Sequence, residues 1–212
     1  EWNLHSTDVE YRGHRVKLMH DHLIQLFGEV PDNLEDFAIA SQISQAEAKK
    51  FFIERLRAER PHASGIIWWN ILDGWPQMSD AVVDYYFKKK LAYEYIKRSQ
   101  EPFILAFGEL EGTTHNLYAC NDTLKSVSGT YRVTDAETDD LVCEGSFTVA
   151  ENTSSVIHTL YGEYQEKRMF VIEWKTDSFT GKNHYLCGYV PFDFEKYVRL
   201  MKKHKLDSDI FN

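Results

Sequence analysis

The stretch "GIIWWNILDGWPQMSD", Gly65 to Asp80, decides how the chain is read. It belongs to an apolar run, Ser64–Leu72, that lacks strict alternation, the pattern of a strand buried on both faces as in parallel sheets. Loop chemistry follows at Asp73 and Gly74-Trp75-Pro76. Three of the five tryptophans, Trp68, Trp69 and Trp75, fall within this stretch. Trp68 and Trp69 are neighbours on the predicted strand and point to opposite sides of it, so one is free to face a ligand while the other packs under helices. Parallel α/β folds bind ligands at the carboxyl ends of their strands, which is where Trp69, Asp73 and Trp75 lie. A flat indole suits the C–H face of a sugar ring, and a carboxylate accepts hydrogen bonds from hydroxyls. The same indoles are also open to a plain reading as core packing.

On the N-terminal side, Val16, Met19, Leu23 and Leu26/Phe27 recur at helical spacing, with Gly28 and Pro31 as a stop. A longer helix follows, capped by Asp32 or Asn33, with Glu35 and Asp36 in its first turn and an apolar stripe through Phe37, Ile39, Ile43, Ala46, Ile53 and Leu56 until Pro61. On the C-terminal side, Lys88–Gln100 reads as a helix with Leu91, Tyr95 and Ile96 inward and a solvated lysine run at its start. Helix, buried strand, loop, helix is a piece of an α/β fold. At Pro102 the pattern changes to short alternating strands, seven in under a hundred residues, the signature of an immunoglobulin-like antiparallel sandwich. Turn signals between them include Asn121-Asp122, Asp139-Asp140 and Thr180-Gly181-Lys182-Asn183. Asp193 then caps a short Lys-rich helix. The expected organisation is therefore an α+β chain in two main parts, 1–102 and 103–192, with a terminal helix and tail at 193–212.

With 212 residues, 43% hydrophobic, the chain has enough apolar surface for a sizeable core. Its net charge of −9 is concentrated in residues 101–212, net −7, which repels phosphate backbones and argues against a nucleic-acid partner. No run approaches the roughly 20 apolar residues of a membrane span. Cys120, Cys143 and Cys187 lack metal spacing and read as buried free thiols, favouring a reducing, cytoplasmic setting. No leader pattern opens the sequence, and a start at Glu1 without Met reads as a fragment or processed piece.

The segment "SGIIWWNILDGWPQMSDAVVDYYFKKKLAYEYIKRSQEPF" resembles the end of the catalytic barrel in glycoside hydrolase family 2, particularly its β-mannosidase-like members. Their motif runs approximately G-x-x-Y-W-Q-L-N-D-x-W-P, followed by a D-Y-Y segment and a K-x-L-A-Y-Y helix. The likeness is specific around Gly65–Pro76 and Asp84–Tyr95 and weak in the sandwich. It implies that residues 1–102 are the C-terminal part of a (β/α)8 barrel, with Ser64–Leu72 as strand eight and Lys88–Gln100 as helix eight. By the same resemblance Trp69 lines the subsite of the sugar that is cleaved, and Asp73 and Trp75 are the family's D-x-W pair. Leu72 and Asn70 depart from the family's Asn and Gln.

The implied reaction is retaining hydrolysis, with an acid/base and a nucleophilic carboxyl group about 5 Å apart; it calls for no cofactor. The family carries both on strands four and seven, so they are expected upstream of Glu1, and the isolated chain is expected to be inactive. No residue of this chain is assigned a catalytic role. His20, Asp21 and His22, with His14, hint at a metal, but positions i and i+2 of a helix do not face each other, so no metal site is assigned. Asn121-Asp122-Thr123 and Asn152-Thr153-Ser154 fit the glycosylation pattern. The expected partners are a β-linked glycoside and either an upstream barrel of the same polypeptide or a second copy bound through residues 1–100. The rival reading is a non-catalytic carbohydrate- or protein-binding sandwich.

Overall fold

The computed structural model describes residues 5–6, 14–161, 166–206 and 211; the side chains of residues 14 and 15 lie outside it, and so does Glu1. Among the described residues four helices, α1 (His14–Phe27), α2 (Leu34–Ala58), α3 (Leu91–Ser99) and α4 (Phe194–Lys203), accompany seven strands. The strands are β1 (Phe103–Glu111), β2 (Thr114–Asn121), β3 (Val127–Asp135), β4 (Leu141–Val149), β5 (Thr153–Tyr161), β6 (Arg168–Thr176) and β7 (Thr180–Cys187).

Local chemistry sets the helix starts. Asn33 has extended backbone and its side chain accepts from the Asp36 N–H at 2.8 Å, while Glu35 and Asp36 place negative charge at the exposed N–H groups of α2. Asp193 does the same for α4, accepting from the Lys196 N–H at 2.7 Å. The helices share one core with Leu23, Phe27, Ile43, Ile53, Leu91 and Tyr95, and α4 returns to it through Tyr197, Leu200 and Met201.

The strands form two antiparallel sheets, ordered β1-β2-β5 and β4-β3-β6-β7. Between them lies a second core that includes Phe103, Leu105, Leu117, Val133, Phe147 and Ile172. Strand β1 is buried at five successive positions, Phe103–Phe107, because α2 packs on the face that alternation would leave to solvent. The sandwich is thus welded to the helices rather than tethered to them.

Three expectations need correction. Ser64–Leu72 is not a strand: residues 64–70 are irregular, and the run ends in a lone parallel bridge, Leu72 to Val83. Among the described residues no neighbouring strand runs beside it, and a strand without a ladder partner has no hydrogen-bonding reason to stay regular. The helix read at Lys88–Gln100 begins only at Leu91, since Val83 and Lys89 pair across a tight turn first. The turn read at Thr180–Asn183 is the start of β7. Gly181 serves packing there: a Cβ would stand 2.1 Å from the Trp174 ring.

Candidate sugar-binding site

The tryptophan segment sits beside α2 and α3. Trp68 and Trp69 do point apart. The Trp68 ring packs against the helical core with the Lys49 ammonium 5.1 Å from its centroid, whereas Trp69 is 75% exposed. The Trp69–Asn70 peptide bond is cis. Trp75 is 40% exposed and stacks on His5, with ring centroids 6.0 Å apart, and His5 Nδ1 donates to the Pro76 carbonyl at 2.8 Å.

Asp73 lies between the two exposed indoles in sequence, yet its side chain is fully shielded from solvent. Its Oδ2 accepts from Lys90 Nζ at 3.0 Å, and its Oδ1 accepts from Gln77 Nε2 at 3.1 Å and from the Ser79 hydroxyl. Two donors and a buried counter-charge fill both oxygens, so Asp73 is an anchor of the loop and its carboxylate is not free for a hydroxyl. Lys90, read above as part of a solvated run, is therefore the partner of a buried charge. Nothing local in the sequence pairs these two residues; the link needs the Val83–Lys89 turn that brings the start of α3 under the loop. Asp84 is occupied as well, its Oδ1 accepting from the Tyr86 and Lys88 N–H groups at 2.8 Å each. Two amide oxygens of the segment, Asn70 Oδ1 and Gln77 Oε1, are buried without a partner among the described residues. Each such acceptor costs about 1–3 kcal/mol unless a donor arrives.

Trp69, Gln77 and Ser79 border a groove of about 1410 Å³ that runs along α2 and past Phe51, Phe52 and Ile67. Ile67, Trp69, Phe51 and Phe52 are exposed on this side, a larger apolar surface than scattered exposed residues produce.

A second polar constellation lies inside the molecule, where α2 and α3 meet β7 and α4. Glu47 accepts from the Tyr197 hydroxyl at 2.5 Å and from His184 Nε2 at 2.6 Å. Arg98 can only donate, so at 3.2 Å it makes His184 Nδ1 the acceptor and leaves the ring neutral, with its proton on Nε2. Burial opposes the Glu47 charge, but His184, Lys50 and Tyr197 outweigh it and hold the carboxyl down at about 2. Burial pushes His184 down to about 4 against the pull of Glu47. Beside them Glu54 accepts from Lys50 at 2.8 Å, from Asn183 at 2.9 Å and from Ser99 at 3.1 Å. His184 is completely buried, while Glu47, Lys50 and Glu54 reach the wall of the groove along α2, so this cluster clamps helices to sandwich from the groove inward.

The remaining sequence candidates resolve simply. No group of three His, Cys, Asp or Glu among the described residues has metal-binding geometry; the His14 side chain lies outside them. Asp21 pairs with Lys17. All three cysteines are free and buried, and burial pushes the Cys120 and Cys143 thiols up to about 11. Asn121 is fully buried, its amide donating to the Lys125 and Ala150 carbonyls, which leaves no acceptor for a glycan there. Trp174, the one tryptophan of the sandwich, is buried. No described helix is long and apolar enough to cross a membrane.

No protein-family model matches the chain. Among curated proteins it is 33% identical over 86 residues to a beta-mannosidase B of Thermothelomyces thermophilus, a match to 38% of this chain and 10% of that enzyme. It is 30% identical over 66 residues to an exo-beta-D-glucosaminidase of Arthroderma benhamiae, covering 30% of this chain and 8% of that one. Among solved structures, a beta-D-mannosidase of Dictyoglomus thermophilum superposes on 84% of this chain and 22% of its own, with a TM-score of 0.72 at 22% identity. An exo-chitosanase of Amycolatopsis orientalis superposes on 87% of this chain and 25% of its own, with a TM-score of 0.67 at 17% identity. The chain thus spans a tenth or less of the curated relatives it matches and about a quarter of the structural ones. Local sequence identity and the shared fold together relate this chain to the β-mannosidase-like glycoside hydrolases of family 2.

Proposed function

We propose that the chain is the C-terminal portion of a retaining glycoside hydrolase acting on β-linked glycosides, and that Trp69 and Trp75 form one wall of the sugar subsite. In this reading residues 1–102 complete a (β/α)8 barrel, residues 103–192 are a supporting immunoglobulin-like sandwich, and residues 193–212 are a terminal helix and tail. The observation that carries it is an indole 75% open to solvent on a loop that a locked carboxylate anchors four residues further on. An exposed aromatic on a rigid anchor is suited to stacking on a sugar ring. Asp73 joins the subsite as the anchor that sets the loop. The acid/base and nucleophile come from the rest of the polypeptide, and Asp73 is held by its own partners on both oxygens. The groove along α2 is where the earlier part of the barrel packs, or a second copy when this chain stands alone. The burial of Trp174 favours support over ligand binding for the sandwich.

The test is oxidation of the polypeptide that carries this chain by N-bromosuccinimide, mapped by mass spectrometry with and without a saturating aryl β-mannoside. Trp69 is expected to oxidise when the site is empty and to be protected when it is filled, with Trp68 slow throughout. Equal oxidation of Trp69 in both conditions would overturn the reading.

A further inference from the structure

We propose that Lys49 is a positioning residue for the Trp69 platform, acting through the Trp69 carbonyl and the Trp68 ring. This deepens the sugar-wall reading and rests on it. The difficulty it answers is mechanical. A ring 75% exposed receives little support from packing, and residues 63–69 make no backbone–backbone hydrogen bond among the described residues. Such a segment has no ladder to fix its direction, yet a stacking platform must hold its plane to within a small angle to help a reaction.

Lys49 supplies what the backbone lacks. Its ammonium donates to the Trp69 carbonyl at 2.9 Å and stands 5.1 Å from the centroid of the Trp68 ring. A charged donor makes a hydrogen bond roughly twice as strong as a neutral one, and the cation over an indole adds a second attachment. The two contacts grip two successive residues: the ring of the one that packs inward and the carbonyl of the one whose ring is exposed. Lys49 itself projects from α2, whose inner face is fixed by fully buried Ile43 and Ala46. The stiffness of a 25-residue helix is thereby passed to a segment that has none of its own. The charges facing Lys49 are consistent with this role: burial lowers its pKa, and the Asp80 carboxylate raises it. The Asp73–Lys90 pair ties the following part of the same loop to the start of α3, so the loop is held from both α2 and the α3 N-cap.

The test begins with the chain itself, labelled with 5-fluorotryptophan and observed by fluorine NMR, with the Trp69 resonance assigned from Trp69→Phe. In Lys49→Met the Trp69 and Trp68 resonances are expected to shift and broaden while Trp174 stays in place, and Lys49→Arg should restore them. An unmoved Trp69 resonance would overturn the proposal. So would equal changes at all tryptophans, the sign of a general loss of structure; Lys49→Gln repeats the comparison should Lys49→Met fail to fold. A second arm measures kcat/KM for an aryl β-mannoside in the polypeptide carrying this chain. Lys49→Met should lower it about tenfold, and the Trp69→Ala/Lys49→Met double variant should be no worse than Trp69→Ala alone. Losses that multiply would show that Lys49 acts elsewhere and overturn the assignment. Full activity in Trp69→Ala would instead sink the sugar wall, leaving the fluorine result to judge Lys49.

Discussion

Replacing Glu47 by alanine should cost this chain more than any surface change of the same size. Glu47 is the acceptor at the centre of the junction between helices and sandwich, bonded to Tyr197 and His184. Its removal leaves two buried donors, the Tyr197 hydroxyl and His184 Nε2–H, without their acceptor. Two buried donors left without an acceptor, at about 1–3 kcal/mol each, cost roughly 3–5 kcal/mol together. The titration leads to a similar figure. A carboxyl held at about 2 instead of its ordinary 4.5 corresponds to ~3 kcal/mol of stability at neutral pH. For a domain of this size the melting temperature should fall by roughly 6–20 °C. The sign of the pH dependence is also set. The Glu47 contribution is complete above 4.5 and is lost as the pH falls towards 2. His184 adds to the loss in the same direction: the unfolded chain takes up a proton near 6.5 and the folded chain only near 4, so acidification between those values favours unfolding. Thermal melts of the wild type and Glu47→Ala at several pH values, followed by near-ultraviolet circular dichroism, should show a flatter acid limb in the variant. A loss below ~1 kcal/mol with an unchanged acid slope would refute the clamp.

Three further outcomes are expected. Lys90→Met should leave the buried Asp73 charge unpaired and destabilise the tryptophan loop by about 3 kcal/mol, read as earlier melting in the indole signal; an unchanged melt would show that Gln77 and Ser79 suffice. The isolated chain should hydrolyse aryl β-mannosides and β-glucosides no faster than background, and turnover abolished by Asp73→Asn would contradict the assignment of the catalytic carboxyls elsewhere. Alone in solution it should associate through residues 1–100, most simply as a two-fold dimer, because Ile67, Phe51, Phe52 and Trp69 are exposed along one groove; light scattering from a compact monomer at high concentration would count against that.

The strands were legible in the sequence because the sandwich obeys period two: "VSGTYRVTD" alternates between the inter-sheet core and the outside at Val127, Tyr131 and Val133. The helices were legible from caps such as Asn33 and Asp193 that work within three residues. Ser64–Leu72 was misread because an apolar run suggests burial on both faces and a ladder, whereas Ile67, Trp69, Ile71 and Leu72 are exposed and only Ile66 and Trp68 pack on helices, without any ladder. Thr180–Asn183 was misread because a glycine that makes room for Trp174 looks like a turn glycine. In the site, the opposite facing of Trp68 and Trp69 followed from their adjacency. The saturation of Asp73 by Lys90, Gln77 and Ser79 did not, since it joins residues up to 17 positions apart through a turn visible only in three dimensions.

The central claim, that Trp69 touches the sugar while Trp68 only supports it, is tested most directly by comparing their alanine variants in the polypeptide that carries this chain. Trp69→Ala is predicted to lower kcat/KM for an aryl β-mannoside by about a hundredfold with little change in melting temperature. Trp68→Ala is predicted to lose stability, by less than the ~3–5 kcal/mol of a fully buried tryptophan because Trp68 is partly buried against the helices. Full activity in Trp69→Ala, or equal losses of stability in both variants, would contradict the account.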